Sequence, residues 1–190
     1  TSTATYTNAC TVTGATRLFA AGADDSSMLV AIPFRFNYWG QPVNPSSMGL
    51  NVSTNGVLNL AGVPDSVTSG TIPTTSAPNS VVAVFWRDLI VGTNVCVATS
   101  GSVGNRRLIV TWPSVRLYGG STTENISAEV SINEADSSID FLYSNVTLPS
   151  GTTATIGLEN QSGTDAIGGC ATGTTCSVTS STRIRFVPSP

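Results

Sequence analysis

The chain has 190 residues, of which only 10% are charged, and it carries a net charge of -3 with a pI near 4.7. This balance offers no basic stripe for phosphates, so nucleic acid and anionic membrane are excluded as natural partners. The sequence contains neither His nor Lys, which removes Ser-His and Cys-His nucleophiles, histidine metal sites and Schiff-base chemistry, and leaves carboxylates as the only side chains for acid-base catalysis.

Taken in order, residues 1–27 read as a Thr-rich N-terminal arm or edge strand with Tyr6 and Cys10, ending in a turn that carries Asp24 and Asp25. Two adjacent carboxylates supply too few oxygens for calcium by themselves, and they stand here only as candidate metal ligands. Residues 28–36 read as a strand interrupted by Pro33, which places that proline at an edge or a bulge. Period two then turns Phe34, Phe36 and Tyr38 inward and Trp39 the other way, next to a Gly40-Gln41-Pro42 turn. Trp39 is therefore a candidate for stacking on a sugar or a partner, against the alternative that it caps the core.

Asn55-Gly56 between apolar runs is a hairpin signal, with positive φ expected at both turn positions and Asn55 also a candidate ligand contact. Residues 61–80 form a long Pro, Ser and Thr loop containing Asp65, a candidate binding loop. Residues 81–89 follow. Val81 to Trp86 has no polar residue, the pattern of a strand covered on both faces, and Arg87 and Asp88 then end it abruptly.

Val95–Ala98 and the run from Arg107 to Trp112 flank a turn, with Arg106 and Arg107 expected in solvent and Tyr118 in a loop beyond. Residues 126–143 give the clearest hairpin. Its alternation sets Ile132 opposite Ile139 and Ser131 opposite Asp140, with Glu129 diagonal to Asp140 on an outer face expected to be wet. Two carboxylates about 7 Å apart fall in the range of glycoside hydrolysis, so Glu129 and Asp140, with Glu159 on the last core strand, are the catalytic candidates of an alternative reading. Against it, no neighbour in the sequence separates their pKa values.

The four cysteines contain no CxxC pair. The glycines at 168, 169 and 173 let a short staple close between Cys170 and Cys176, leaving Cys10 to Cys96 as the second bridge, and zinc is not favoured at this spacing. Disulfides place the chain in an oxidising compartment, secreted or at a cell surface. No apolar run is long enough to span a membrane, and residues 1–7 lack the pattern of a signal peptide. Residues 188–190 read as the start of a linker to further protein. Helix signals are nearly absent, and the expectation is one all-β domain over 1–190: a two-sheet antiparallel sandwich, jelly-roll-like, of about ten strands.

Several blocks in fixed order resemble the nidogen-like extracellular domain and its relatives in large bacterial surface and secreted proteins. They are Pro33-Phe34-Arg35-Phe36-Asn37-Tyr38-Trp39-Gly40, Val52-Ser53-Thr54-Asn55-Gly56-Val57-Leu58, Val82-Ala83-Val84-Phe85-Trp86-Arg87-Asp88-Leu89, Arg106-Arg107-Leu108-Ile109-Val110-Thr111-Trp112, and Ile156-Gly157-Leu158-Glu159-Asn160 with Gly163. The resemblance implies a secreted adhesion or recognition module without a catalytic set. Where the pattern commonly has Pro before Phe-Trp and an acidic residue after it, this chain has Val84 and Arg87, which weakens the case for a cation site at Asp88. The function expected is non-enzymatic binding of a glycan or protein through loops at one end, with Trp39, Asn55, Asp65, Asp88 and Tyr118 as contacts. No cofactor is required, although Asp24, Asp25 and Asp88 would suit calcium. A carboxylate-dependent glycosidase or glutamic-type peptidase, and a passive spacer in a surface fibre, are the other readings.

Overall fold

The computed structural model describes residues 5–45, 49–62, 68–171 and 173–188. Sixteen short strands, not ten, make up the fold: β1 (Thr16–Ala20), β2 (Ser27–Ala31), β3 (Phe36–Tyr38), β4 (Gln41–Val43), β5 (Gly49–Ser53), β6 (Val57–Asn59), β7 (Val81–Trp86), β8 (Leu89–Val91), β9 (Asn94–Ser100), β10 (Arg107–Leu117), β11 (Asn125–Asn133), β12 (Ile139–Thr147), β13 (Ala154–Glu159), β14 (Ala166–Gly168), β15 (Thr175–Cys176) and β16 (Arg183–Phe186). A single 3-10 turn, Ala9–Thr11, is the one helical element among the described residues. The excess over ten comes from edge pieces of two to four residues, too short to leave a periodic trace in the sequence.

The strands form two antiparallel sheets packed face to face. The first runs β1-β9-β10-β11-β12-β16 with β8 beside β10, the second β14-β13-β7-β6-β5-β2 with β15 beside β13, and β3 and β4 form a separate hairpin. The hairpin register follows the alternation in the sequence, with Ile132 opposite Ile139 and Ser131 opposite Asp140. Between the sheets the core is apolar, and the polar tips of its large aromatics reach across it. Tyr143 on β12 donates to the Val84 carbonyl on β7 at 2.5 Å, and Trp112 on β10 donates to the Ser53 carbonyl on β5 at 3.0 Å. The Tyr143 hydroxyl and the Trp112 indole N–H are thereby satisfied while tying one sheet to the other.

The strand at the centre of the second sheet departs from simple alternation. The Gly56 carbonyl accepts both the Val84 and the Phe85 N–H at 3.0 Å, and the pairing with β13 slips from Thr155–Trp86 to Gly157–Ala83. This is a β-bulge. It sends Val84 and Phe85 together into the main core and turns Trp86 to the far face. There Trp86 joins Val57, Ile72, Val81 and Ala83 under the 68–80 loop, so β7 is covered on both sides.

The outer face of the first sheet is not wet. Glu129, Ser131 and Asp140 on it are buried, and so are Thr111 and Ile109. The N-terminal arm covers one part of this face, where Thr7 N–H donates to Glu129 at 2.5 Å, Ala9 N–H to the Thr111 hydroxyl at 3.1 Å, and Cys10 is bonded to Cys96, while Arg183 and Arg185 of β16 lie against Asp140. Arg106 and Arg107 are likewise ion-paired rather than loose in solvent, Arg106 to Glu134 and Arg107 to Glu129. The second bridge joins Cys170 to Cys176, six residues apart.

Two outcomes follow from this framework. Gly56 has φ 69° and a Cβ there would lie 2.3 Å from the Phe85 carbonyl oxygen. Gly56→Ala should therefore cost about 3 kcal/mol in urea unfolding, against about 1 kcal/mol for Gly104→Ala, where φ is also positive but the space is open. Removing Cys10–Cys96, which closes 86 residues, should cost about 4–5 kcal/mol on the chain-entropy account, and removing Cys170–Cys176 about 2. Equal losses for the two bridge deletions would contradict that account.

Candidate functional site

The expected contacts do not gather at one end. Asn55, Asp88 and Tyr118 lie at the C-terminal end of β7, together with Asp24 and Asp25. Trp39 lies at the other end, because Tyr38 beside it donates to the carbonyl of Val81, the first residue of β7, at 2.7 Å. The two places are about 20 Å apart along the strand. Asp65 lies outside the described residues.

The first place is a corner built around Asn55. This side chain is fully buried, so it is not available to a ligand. Its carbonyl oxygen accepts the Leu89 N–H at 2.9 Å, its backbone carbonyl accepts the Arg87 N–H at 3.2 Å, and its amide donates to Asp25 at 2.9 Å. The turn has positive φ at Gly56 and not at Asn55, so the asparagine is there for its side chain rather than for a left-handed backbone. By clasping residues 87–89 it fixes Asp88 opposite the Asp24–Asp25 turn. One oxygen from each of Asp24, Asp25 and Asp88 lies within 4.8 Å of the others.

Within this corner, one oxygen of Asp24 and one of Asp88 are shielded from solvent without a hydrogen-bond donor. Burial, then the charges of Asp25 and Asp24, push the Asp88 carboxyl above its ordinary value, with Arg87 offsetting part of the shift. Chemically, three hard carboxylate ligands could hold a divalent cation, with further oxygens drawn from backbone or water. Tyr118 stands on the rim, 60% exposed, its N–H donated to the Asp88 carbonyl at 3.0 Å.

At the opposite end is a groove of about 420 Å³. One wall is the β3–β4 hairpin, where Trp39 is half-buried at φ 51° in the turn. The facing walls come from Leu158, from Ile167 on edge strand β14, and from Phe186 and Val187 at edge strand β16, with Asn37 and Ser137 as polar groups at the side. Ile167 and Val187 are exposed. The sequence marks Trp39 but not the other wall, since strands about 120 to 150 residues away in the chain meet it only at the open side of the sandwich.

The three catalytic candidates do not converge. Glu129 is bound by Arg107 at 2.9 Å, by the Ser131 hydroxyl and by the Thr7 N–H under the arm; burial raises its pKa. Asp140 is held by Arg183 at 2.8 Å, Arg185 at 3.0 Å and Asn133 at 3.0 Å. Glu159 sits on the other sheet, buried under the 68–80 loop, where one oxygen accepts the Thr74 N–H at 2.8 Å and the other has no donor. Burial raises its pKa as well. None of the three lines the groove.

The acidic corner gives a test with a defined sign. A carboxyl whose folded pKa is raised binds more protons in the native state than in the unfolded one, so stability falls as pH rises through the interval between the two values and stays lower above it. Asp88→Asn should then raise the melting temperature by about 2 °C at pH 7 in the presence of a chelator, with the gain disappearing as pH falls to about 3. A loss of stability at pH 7 would show that the Asp88 charge is compensated.

No curated protein and no solved structure matches the chain. The profile of the NIDO-related family matches residues 1–189, almost the whole sequence. The order of apolar and aromatic blocks in the sequence agrees with that match. The chain belongs to the NIDO-related family.

Proposed function

We propose that this chain is a non-catalytic extracellular recognition module that takes a glycan or a stretch of protein in the groove under the Trp39 hairpin. The observation that carries this reading is the groove itself: an open apolar cleft with an aromatic side chain in a turn on one wall and a few polar groups at the side. An indole held by a tight hairpin offers a flat face with little conformational entropy left to lose, which suits stacking on a sugar ring or an apolar side chain. The two disulfides and the membership of the NIDO-related family support an extracellular setting. No helix among the described residues is long and apolar enough to cross a membrane.

The carboxylate-hydrolase reading has less to support it. Its pairs would have to act from beneath an arm, an arginine pair or a loop, where neither water nor substrate has a path to both carboxyls. Activity on polysaccharide or denatured protein at acid pH, abolished by Glu129→Gln, would put it in place of the binding reading.

Glycan arrays and cell-surface binding test the proposal directly. Trp39→Ala should weaken binding by about tenfold or more while circular dichroism stays unchanged. If the wild-type chain binds neither glycans nor cell surfaces, the recognition reading fails.

A further inference from the structure

The four outer strands of the two sheets differ in how they are guarded. On the first sheet β1 carries Arg17 in mid-strand and a register break between Arg17 and Phe19, and β16 carries Arg183 and Arg185. On the second sheet β14 is three residues long. A charge, a bulge or a short length each discourages edge-to-edge pairing. β2 has none of these. Its five residues, Ser-Met-Leu-Val-Ala, pair with β5 in unbroken register from Ser27–Ser53 to Ala31–Gly49 and contain no charge and no proline. Met28 is 42% exposed and Leu29 60% exposed.

The side of β2 turned away from β5, which pairs with no other strand among the described residues, can be identified from the ladder. The Thr54 N–H donates to the Ser26 carbonyl at 2.9 Å, which turns residue 26, and by alternation Met28 and Val30, toward β5. The backbone N–H and C=O groups of Leu29 and Ala31 therefore point away from the sheet. The ends of this edge carry opposite charge. Asp24 and Asp25 precede the strand, with Asp88 beside them, whereas the exposed Arg35 follows it and Arg17 lies at the same end on β1 across the open side of the sandwich. Neither arginine forms an ion pair among the described residues.

We infer that β2 is a homodimerisation edge, pairing antiparallel with β2 of a second copy of this chain so that the second sheets become continuous across a two-fold axis. Antiparallel pairing is self-complementary here. With the axis at Val30, Leu29 of one copy and Ala31 of the other exchange N–H···O bonds on each side. Asp25, five residues before Val30, then comes to the end occupied by Arg35 of the other copy, five residues after it. A parallel arrangement would set like charges together at both ends. The groove beside the edge, bounded by Met28, Val30, Val97 and Leu108, would be roofed by the added strand.

Sedimentation equilibrium of the full 190-residue chain tests this. Between about 5 µM and about 500 µM the mass should rise from 19.5 kDa toward twice that value. Leu29→Lys, which sets a cation on the pairing strand, and Ala31→Pro, which removes an outward N–H, should each hold the mass at 19.5 kDa with the melting temperature little changed. Arg35→Glu should raise the dimer dissociation constant by about tenfold at low salt. Amide exchange at Leu29 and Ala31 should slow with concentration. A wild-type chain that stays at 19.5 kDa throughout, or a dimer unaffected by both strand substitutions, would overturn the inference.

Discussion

The architecture depends on one carbonyl. By accepting two consecutive N–H groups, Gly56 forces a bulge into the middle strand of the second sheet, and that bulge decides which way Phe85 and Trp86 point. Without it, Phe85 would face outward and Trp86 inward, so the core would have to take the larger indole in place of Phe85 and the outer face would lose the platform under the 68–80 loop. With it, the core receives Val84 and Phe85 side by side, the outer face receives Trp86 as a platform for the 68–80 loop, and the chain leaves the strand at the angle that Asn55 clasps. Only glycine allows the approach, since any Cβ would meet the very strand it has to bond. Turn, bulge and corner are thus one cooperative unit, and the acidic cluster is its by-product.

A chain with 10% charged residues has little freedom in where it spends them. Here many are drawn into partly buried pairs on a sheet face that the N-terminal arm covers in part. Glu129 and Asp140 each have several donors, and their arginines come from β10 and from the final strand β16, so the arm, the middle of the sheet and the C-terminal strand are linked through the same polar layer. Burying such groups contributes little net stability compared with apolar replacements, but leaving any one unpartnered would cost several kcal/mol, roughly 3–5. The layer therefore acts mainly on specificity: it fixes the arm to one register and makes a slipped β12–β16 pairing expensive. Cys10–Cys96 sustains the same arrangement covalently.

How much of this could be read in the sequence depended on distance along the chain. Alternation over residues 126–143 fixed the hairpin and its register to the residue, because both strands lie within one local pattern. The unbroken apolar run of β7 is covered on both faces as its pattern predicts, whereas the strand expected over 28–36 ends at Ala31 and Pro33 lies in the connection to β3, outside any strand. The cysteine pairing followed from loop size and glycine content. What failed were statements about faces. Glu129 and Asp140 occupy positions that alternate outward, and outward ordinarily means wet; the arm, more than a hundred residues upstream, covers Glu129, and the arginines of β16 lie against Asp140. Asn55 was read for its turn propensity when its side chain is the buried clasp of the corner. Of the groove only Trp39 carries a signal in the sequence; the facing residues come from distant strands, two of them, β14 and β16, too short to show a period.

The sandwich keeps its surfaces apart, and that separation has consequences for how they can work together. The Trp39 groove opens on the side bounded by β14 and β16, whereas β2 is the opposite margin of the second sheet. A strand added at β2 would leave the groove untouched, and a two-fold axis there would carry two grooves to the far ends of one continuous sheet. Two weak sites held rigidly at a fixed spacing bind a repetitive surface far more tightly than either alone, provided the surface repeats at a matching distance. The acidic corner lies near the start of β2, where its charge bears on assembly rather than on the distant groove: three clustered carboxylates repel one another, and an arginine from a second copy would relieve that repulsion. In this arrangement the electrostatic strain of the corner and the unguarded strand beside it are two parts of the same surface, and neither feature on its own would explain why the chain retains the other.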